Sequence, residues 1–174
     1  LLSELTDLSI FKENSFDMVL SLSGTISYAC EERTKMFREL VRVAKNGAPL
    51  IITVKCKPYY FKQLLHKIDL DKLTEPTKAG LWEMLDTNYK QYEDYPDEPP
   101  YYAFSGQELI ELIERNNCDV LEIAGINCLT THLYSQLEAI RENEAAWETA
   151  LLIEEKISKS PGLWDAGEEI LVVA

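Results

Sequence analysis

From Phe16 to Leu22 the apolar positions run almost without interruption, FDMVLSL, and stop at Ser23-Gly24-Thr25. A run of this kind, β-branched in part and bounded by small polar residues, predicts a strand buried on both faces, centred on Asp17–Ser21. The period then changes. Met36, Phe37, Leu40, Val41 and Ala44 recur at helical spacing, with Arg33, Lys35, Arg38 and Arg42 on the other positions, which predicts an amphipathic helix over Glu31–Lys45. Glu31 and Glu32 in its first turn and Lys45 in its last suit the helix dipole, and Gly47 falls where a left-handed residue closes a helix. Ala48 to Val54, APLIITV, predicts a second buried strand over Leu50–Val54. Strand, helix, strand crosses over right-handed into a parallel pair. Ligands of such sheets bind beyond the carboxyl ends of the strands, so Ser23-Gly24-Thr25 is a ligand-loop candidate.

The remaining pattern extends an α/β reading. Lys12-Glu13-Asn14-Ser15 is a turn by composition, with Asp17 placed to order it. Phe61, Leu64, Leu65 and Ile68 have helical spacing, as do Leu81, Trp82, Leu85 and Tyr89. An acidic, tyrosine-rich stretch follows, from Tyr92 to Tyr102. Residues 57–104 are too long for a simple connection and predict a lid-like insertion within a single domain spanning 1–174. Ser105-Gly106-Gln107-Glu108 is a capping box that opens a helix over Gly106–Asn116, ended by Asn116-Asn117. Strands are predicted at Asp119–Gly125, continuing to Ile126, and at Ile170–Val173. Between them a single long helix is predicted over Ser135–Ser158, stopped by Pro161-Gly162.

These residues carry a resemblance. ENSFDMVLSLSGTISYA followed by RELVRVAKNGAPLIITV resembles the second half of a class I S-adenosylmethionine-dependent methyltransferase. Asn46 stands where that family usually has Pro, and Ala48 where it has a second Gly. GEEILVVA at the C-terminus is similar to the family's closing strand. The resemblance covers the C-terminal two-thirds of such a domain and no motif in it is unique to one activity. It implies a Rossmann-like, doubly wound, mostly parallel sheet, with the last strand antiparallel between the fifth and sixth. The first clear strand here is the family's fourth. The glycines, at 24, 47, 80, 106, 125, 162 and 167, include no Gly-x-Gly turn of the type that lets backbone approach a cofactor closely. The expectation is therefore a fragment lacking the N-terminal strands, which by itself binds S-adenosylmethionine weakly or not at all.

Composition narrows the partners. A net charge of −13 argues against nucleic acid and anionic membrane. No apolar run approaches the roughly 20 residues needed to cross a bilayer. Cys30, Cys56, Cys118 and Cys128 form no Cys-x-x-Cys pair, and with only His66 and His132 beside them no metal site is expected. They read as reduced thiols of a cytoplasmic protein. A homodimer is left open.

Methyl transfer from a sulfonium needs mainly alignment of a nucleophile, and a general base where that nucleophile is protonated. The resemblance implies S-adenosyl-L-methionine as cofactor and a small molecule as acceptor. It puts an acidic residue on the adenine amino group and a backbone amide on the ring, for which Glu4 and Leu5 are the matches and Asp7 the competitor. Leu22 and Ser23 would offer backbone carbonyls to the methionine amino group. Tyr28 would line the transfer channel. Tyr28 and His132 are the catalytic candidates. Tyr28, Trp82, Tyr101 and Tyr102 are the acceptor candidates, with Tyr59 and Tyr60 available to the same aromatic wall. Two alternatives stay open: a non-catalytic methyltransferase-like α/β interaction module, and another doubly wound nucleotide-binding enzyme.

Overall fold

A computed structural model of the chain describes residues 4–67, 81–90, 99–130, 133 and 135–174. The order is β1 (Val19–Ser21), α1 (Thr25–Tyr28), α2 (Arg33–Val43), β2 (Leu50–Lys55), α3 (Lys57–Lys67), α4 (Leu81–Thr87), β3 (Tyr89–Lys90), β4 (Tyr101–Tyr102), α5 (Gly106–Glu114), β5 (Glu122–Ile126), α6 (Leu137–Arg141), α7 (Glu144–Ser158) and β6 (Glu169–Val173). The main sheet has strand order β1-β2-β6-β5, and β3 with β4 forms a separate two-stranded sheet.

Among the described strands only β1 and β2 are parallel, with Leu20 opposite Ile51. β6 enters antiparallel between β2 and β5, with Ile52 opposite Val172 on one side and Ile123 opposite Val172 on the other. The described sheet is therefore mixed rather than mostly parallel, because the inserted strand makes two of its three pairings antiparallel.

One face of this sheet carries the core. Leu50, Ile52 and Val54 of β2 and Ile170 and Val172 of β6 pack with Met36, Phe37, Leu40 and Val43 of α2 and Leu109 and Ile113 of α5. The helical spacing of the α2 residues makes this possible, since it puts all four on one stripe. The start of α5 is fixed twice. Ser105 and Glu108 make the expected reciprocal capping box. The Asp165 carboxylate also accepts the Gly106 N–H at 2.7 Å. A Cβ at Gly106 would lie 2.1 Å from the Trp164 indole nitrogen, so no side chain fits there.

Several boundaries differ from the pattern. Met18, Leu20 and Leu22 are exposed, Leu20 by 55%, so β1 is not buried on both faces. The reason is its place at the edge of the described sheet, where α1 and α2 cover one face. A single 3-10 turn (Cys30–Glu32) precedes α2, and Ala44 after it is already extended. Lys45 lies past the helix and pairs instead with Asp17 at 2.6 Å. The long C-terminal helix is two helices, because Asn143 is extended and its side chain caps α7 by accepting the Ala146 N–H. Tyr89 belongs to β3 rather than to the helix before it. No helix among the described residues is long and apolar enough to cross a membrane, and no group among them is arranged to hold a metal ion.

Candidate functional site

The carboxyl ends of β1 and β2 come together through the loop that leaves β1. Ser23 and Gly24 are both left-handed, at φ 59° and 68°. This pair turns the chain sharply, which leaves Leu22 and Ser23 open while burying Gly24. Gly24 donates its N–H to Thr53 Oγ1 at 3.2 Å, and Ser27 Oγ accepts the Lys55 N–H at 2.9 Å. The loop and α1 are thus stapled to the end of β2. Where a Cβ of residue 24 would stand, the Lys55 stem passes instead, its Cε 2.8 Å away. Only glycine combines that conformation with that contact.

Lys55 is the centre of the arrangement. Its ammonium reaches Glu169 Oε1 at 2.7 Å, across the β2–β6 register that sets Lys55 opposite Glu169. Both side chains are largely buried, 12% and 15% exposed. Burial pulls the Lys55 pKa down, but hydrogen bonds to Glu169 and to the Tyr60 hydroxyl outweigh it and hold the group above its usual range. Tyr60 is itself pushed up by burial, more than the Lys55 contact brings it down. The Lys55 nitrogen lies 6.0 Å from the Tyr28 ring centre. Tyr28 meets Tyr101 edge-on at 6.0 Å, and Tyr101 meets Tyr60 at 4.9 Å. Tyr28 is 43% exposed, while Tyr101 lies buried beneath it.

Tyr102 goes to the other side of β4. The Arg33 guanidinium lies 3.8 Å from its ring centre. Its hydroxyl donates to Glu108 Oε1 at 3.0 Å and accepts from Asn88 Nδ2 at 2.8 Å. Asn88 also donates to Glu108 and accepts from Lys57. Burial pushes the Glu108 carboxyl up, but the hydrogen bonds from Ser105, Tyr102 and Asn88 outweigh this and bring its pKa below the usual value. This network ties the two-stranded sheet to α3 and α5. The described parts of residues 57–104 thereby sit beside the exits of β1 and β2, where Phe104 donates its N–H to the Lys55 carbonyl.

The residues singled out from the sequence are therefore not all in one place. Tyr28, Tyr60 and Tyr101 meet around Lys55, and Leu22 and Ser23 border them. Glu4 and Leu5 lie in a turn closed by Asp7 N–H to the Glu4 carbonyl. Leu8 next to it is anchored to Glu39 in the middle of α2. Tyr59 packs edge-on against Tyr60 at 5.1 Å. Trp82 stands in α4, but its side chain, like all of His132, lies outside the described residues. Lys55 and Glu169 were missed. The signal was incomplete: the resemblance implied an antiparallel last strand beside the one that ends at Lys55, but only the observed register sets Lys55 opposite Glu169. A separate cavity of about 750 Å³ lies at the opposite, amino ends of the strands, lined in part by Asn46, Pro49, Leu50, Asn117 and Asp119.

The fit to S-adenosylmethionine is partial. The left-handed pair at Ser23-Gly24 leaves Leu22 and Ser23 exposed at the end of β1, although the Leu22 carbonyl already accepts the Thr25 hydroxyl. The cradle at Gly24, however, is already filled by Lys55. The described residues thus offer an exposed turn at the β1 exit and supply no glycine turn.

Residues 1–52 match the family described as "Methyltransferase domain". No curated protein matches the chain. A solved structure described as a SAM-dependent methyltransferase from Methanosarcina mazei is similar at 21% identity, over 70% of this chain and 54% of that one, with a TM-score of 0.49. The chain thus spans about half the length of that protein.

Proposed function

We propose that this protein takes part in S-adenosylmethionine-dependent methyl transfer to a small-molecule acceptor. The observation that carries the reading is the match of residues 1–52 to the methyltransferase-domain family, because that stretch contains the β1 exit loop. When bound, S-adenosylmethionine supplies an activated methyl group on sulfur. The chain's own residues orient and shield. The carbonyls of Leu22 and Ser23 would accept from the amino group of the methionine part. Glu4 would take the adenine amino group and the Leu5 N–H the ring, with Asp7 as the competing acid. Tyr28, backed by Tyr101, would present flat apolar surface to the acceptor and exclude water. Tyr102 would support that wall from behind, since its hydroxyl is committed to Glu108 and Asn88.

The test is a titration of the protein with S-adenosylhomocysteine, followed by backbone amide shifts in NMR. The expected outcome is weak binding, with shifts at Leu22–Tyr28 and at Glu4–Leu8 that saturate only at high ligand concentration. Shifts confined to the amino-end cavity around Asn46–Leu50 would overturn the reading. A second reading, a non-catalytic interaction module, is favoured by the Lys55 stem that already fills the cradle at Gly24. It predicts no shift at either segment.

A further inference from the structure

We propose that Lys55, Glu169 and Tyr28 form an acceptor subsite for an uncharged, hydroxyl-bearing aromatic ring, a phenol in the simplest case. The inference rests on the methyl-transfer reading only for the word acceptor; the subsite itself rests on geometry. An ammonium has three donors, and two of those on Lys55 are committed to Glu169 and Tyr60. The Glu169 carboxylate has a second oxygen beyond the one that meets Lys55. A hydroxyl set against the pair can accept from the third Lys55 N–H and donate to that second oxygen. Few groups other than a hydroxyl satisfy both partners with one atom.

Hydrogen-bonding capacity selects in the same direction. Lys55 and Glu169 cancel each other's charge, and an ammonium has no lone pair with which to accept from Lys55. A carboxylate has no proton to donate to Glu169. What remains is a neutral molecule. The half-exposed Tyr28 ring, backed edge-on by Tyr101, offers an aromatic partner a stacking surface next to the ion pair. The Lys55 stem cannot swing away from this position towards α1, because the Gly24 backbone lies against it.

The test uses p-cresol, benzoate and benzylammonium as probes, each titrated into the protein and followed by backbone amide shifts. Expected are p-cresol shifts at Gly24–Tyr28, Lys55–Lys57 and Glu168–Glu169. Benzoate and benzylammonium should bind about tenfold more weakly, the loss expected when one charge-assisted hydrogen bond is not made. Lys55→Met alone leaves a buried carboxylate unpaired and can unfold the protein, so it is combined with Glu169→Gln. That double variant, and Tyr28→Leu separately, should each weaken p-cresol by about tenfold. Benzoate binding as tightly as p-cresol, or p-cresol binding unchanged in both variants, would overturn the subsite. Because S-adenosylhomocysteine is titrated independently, the two proposals separate. Cresol shifts at Lys55 without S-adenosylhomocysteine shifts at Leu22 remove the function and keep the subsite; the reverse removes the subsite and keeps the function.

Discussion

Tyr101 and Tyr102 are neighbours in β4 that serve opposite sides of it: Tyr101 meets Tyr28 and Tyr60, whereas Tyr102 lies under Arg33 and is bonded to Glu108 and Asn88. Adjacent strand residues point to opposite faces, so one dipeptide supports two environments. Tyr102→Phe should lower stability by about 1 kcal/mol, the cost of one buried hydroxyl's hydrogen bonds. Tyr102→Ala should cost about 3 kcal/mol or more, as for other large core truncations. Urea unfolding measures both. A Tyr102→Phe variant as stable as the parent would show that the network does not hold β4.

Acid should loosen the same network. Glu108 has a folded pKa below its ordinary value of 4.5, so its contribution is fully present above that pH and is lost as pH falls through the folded pKa. Stability measured by urea titration should therefore drop below about pH 4.5. In Glu108→Gln this part of the slope should be missing, at the cost of lower stability at pH 7. An unchanged slope would place the acid sensitivity elsewhere.

Alkali should act on the other side of β4. The Lys55 pKa is raised in the fold, so its pairing stabilises below the ordinary value of 10.5 and is lost only as pH rises through the folded pKa. Glu169→Gln should make stability fall earlier on the alkaline side. Thermal unfolding monitored from pH 9 upward gives the comparison, and coincident curves would contradict the pairing.

Gly24 and Gly47 share a left-handed backbone, at φ 68° and 78°, but differ in what surrounds them. Nothing lies within 4 Å of a Cβ at Gly47, so Gly47→Ala should cost about 1 kcal/mol from conformation alone. Gly24→Ala adds a collision with the Lys55 stem and should cost measurably more, with shifts at Glu169 in the NMR spectrum. Equal losses at the two positions would mean that Lys55 gives way freely.

The four thiols should fall into two classes. Cys56 and Cys128 are buried, and burial pushes their pKa values up to about 12 and about 11. Cys30 and Cys118 are only partly buried. With Ellman's reagent at pH 8, Cys30 and Cys118 should react first, and Cys56 and Cys128 only as the protein unfolds. Four thiols in one fast phase would contradict the burial of Cys56 and Cys128.

By itself the sequence determined the elements whose reason is local. Met36, Phe37 and Leu40 lie on one stripe because 3.6-residue spacing leaves no other choice, whereas Val43 rather than Val41 completes the buried stripe. The Ser105–Glu108 box closes within one turn, and the apolar runs at Leu50 and Ile170 can only be strands or buried helices. The mixed sheet, the exposure of Leu20 and the break at Asn143 were decided by tertiary structure. So was the site. Lys55 and Glu169 are separated by 114 residues, and nothing local in either strand says that β6 will run antiparallel against β2. That pairing sets the two charges opposite each other. The Gly24 turn then lays the β1 exit against the lysine stem, a contact between backbone and side chain that no periodicity records.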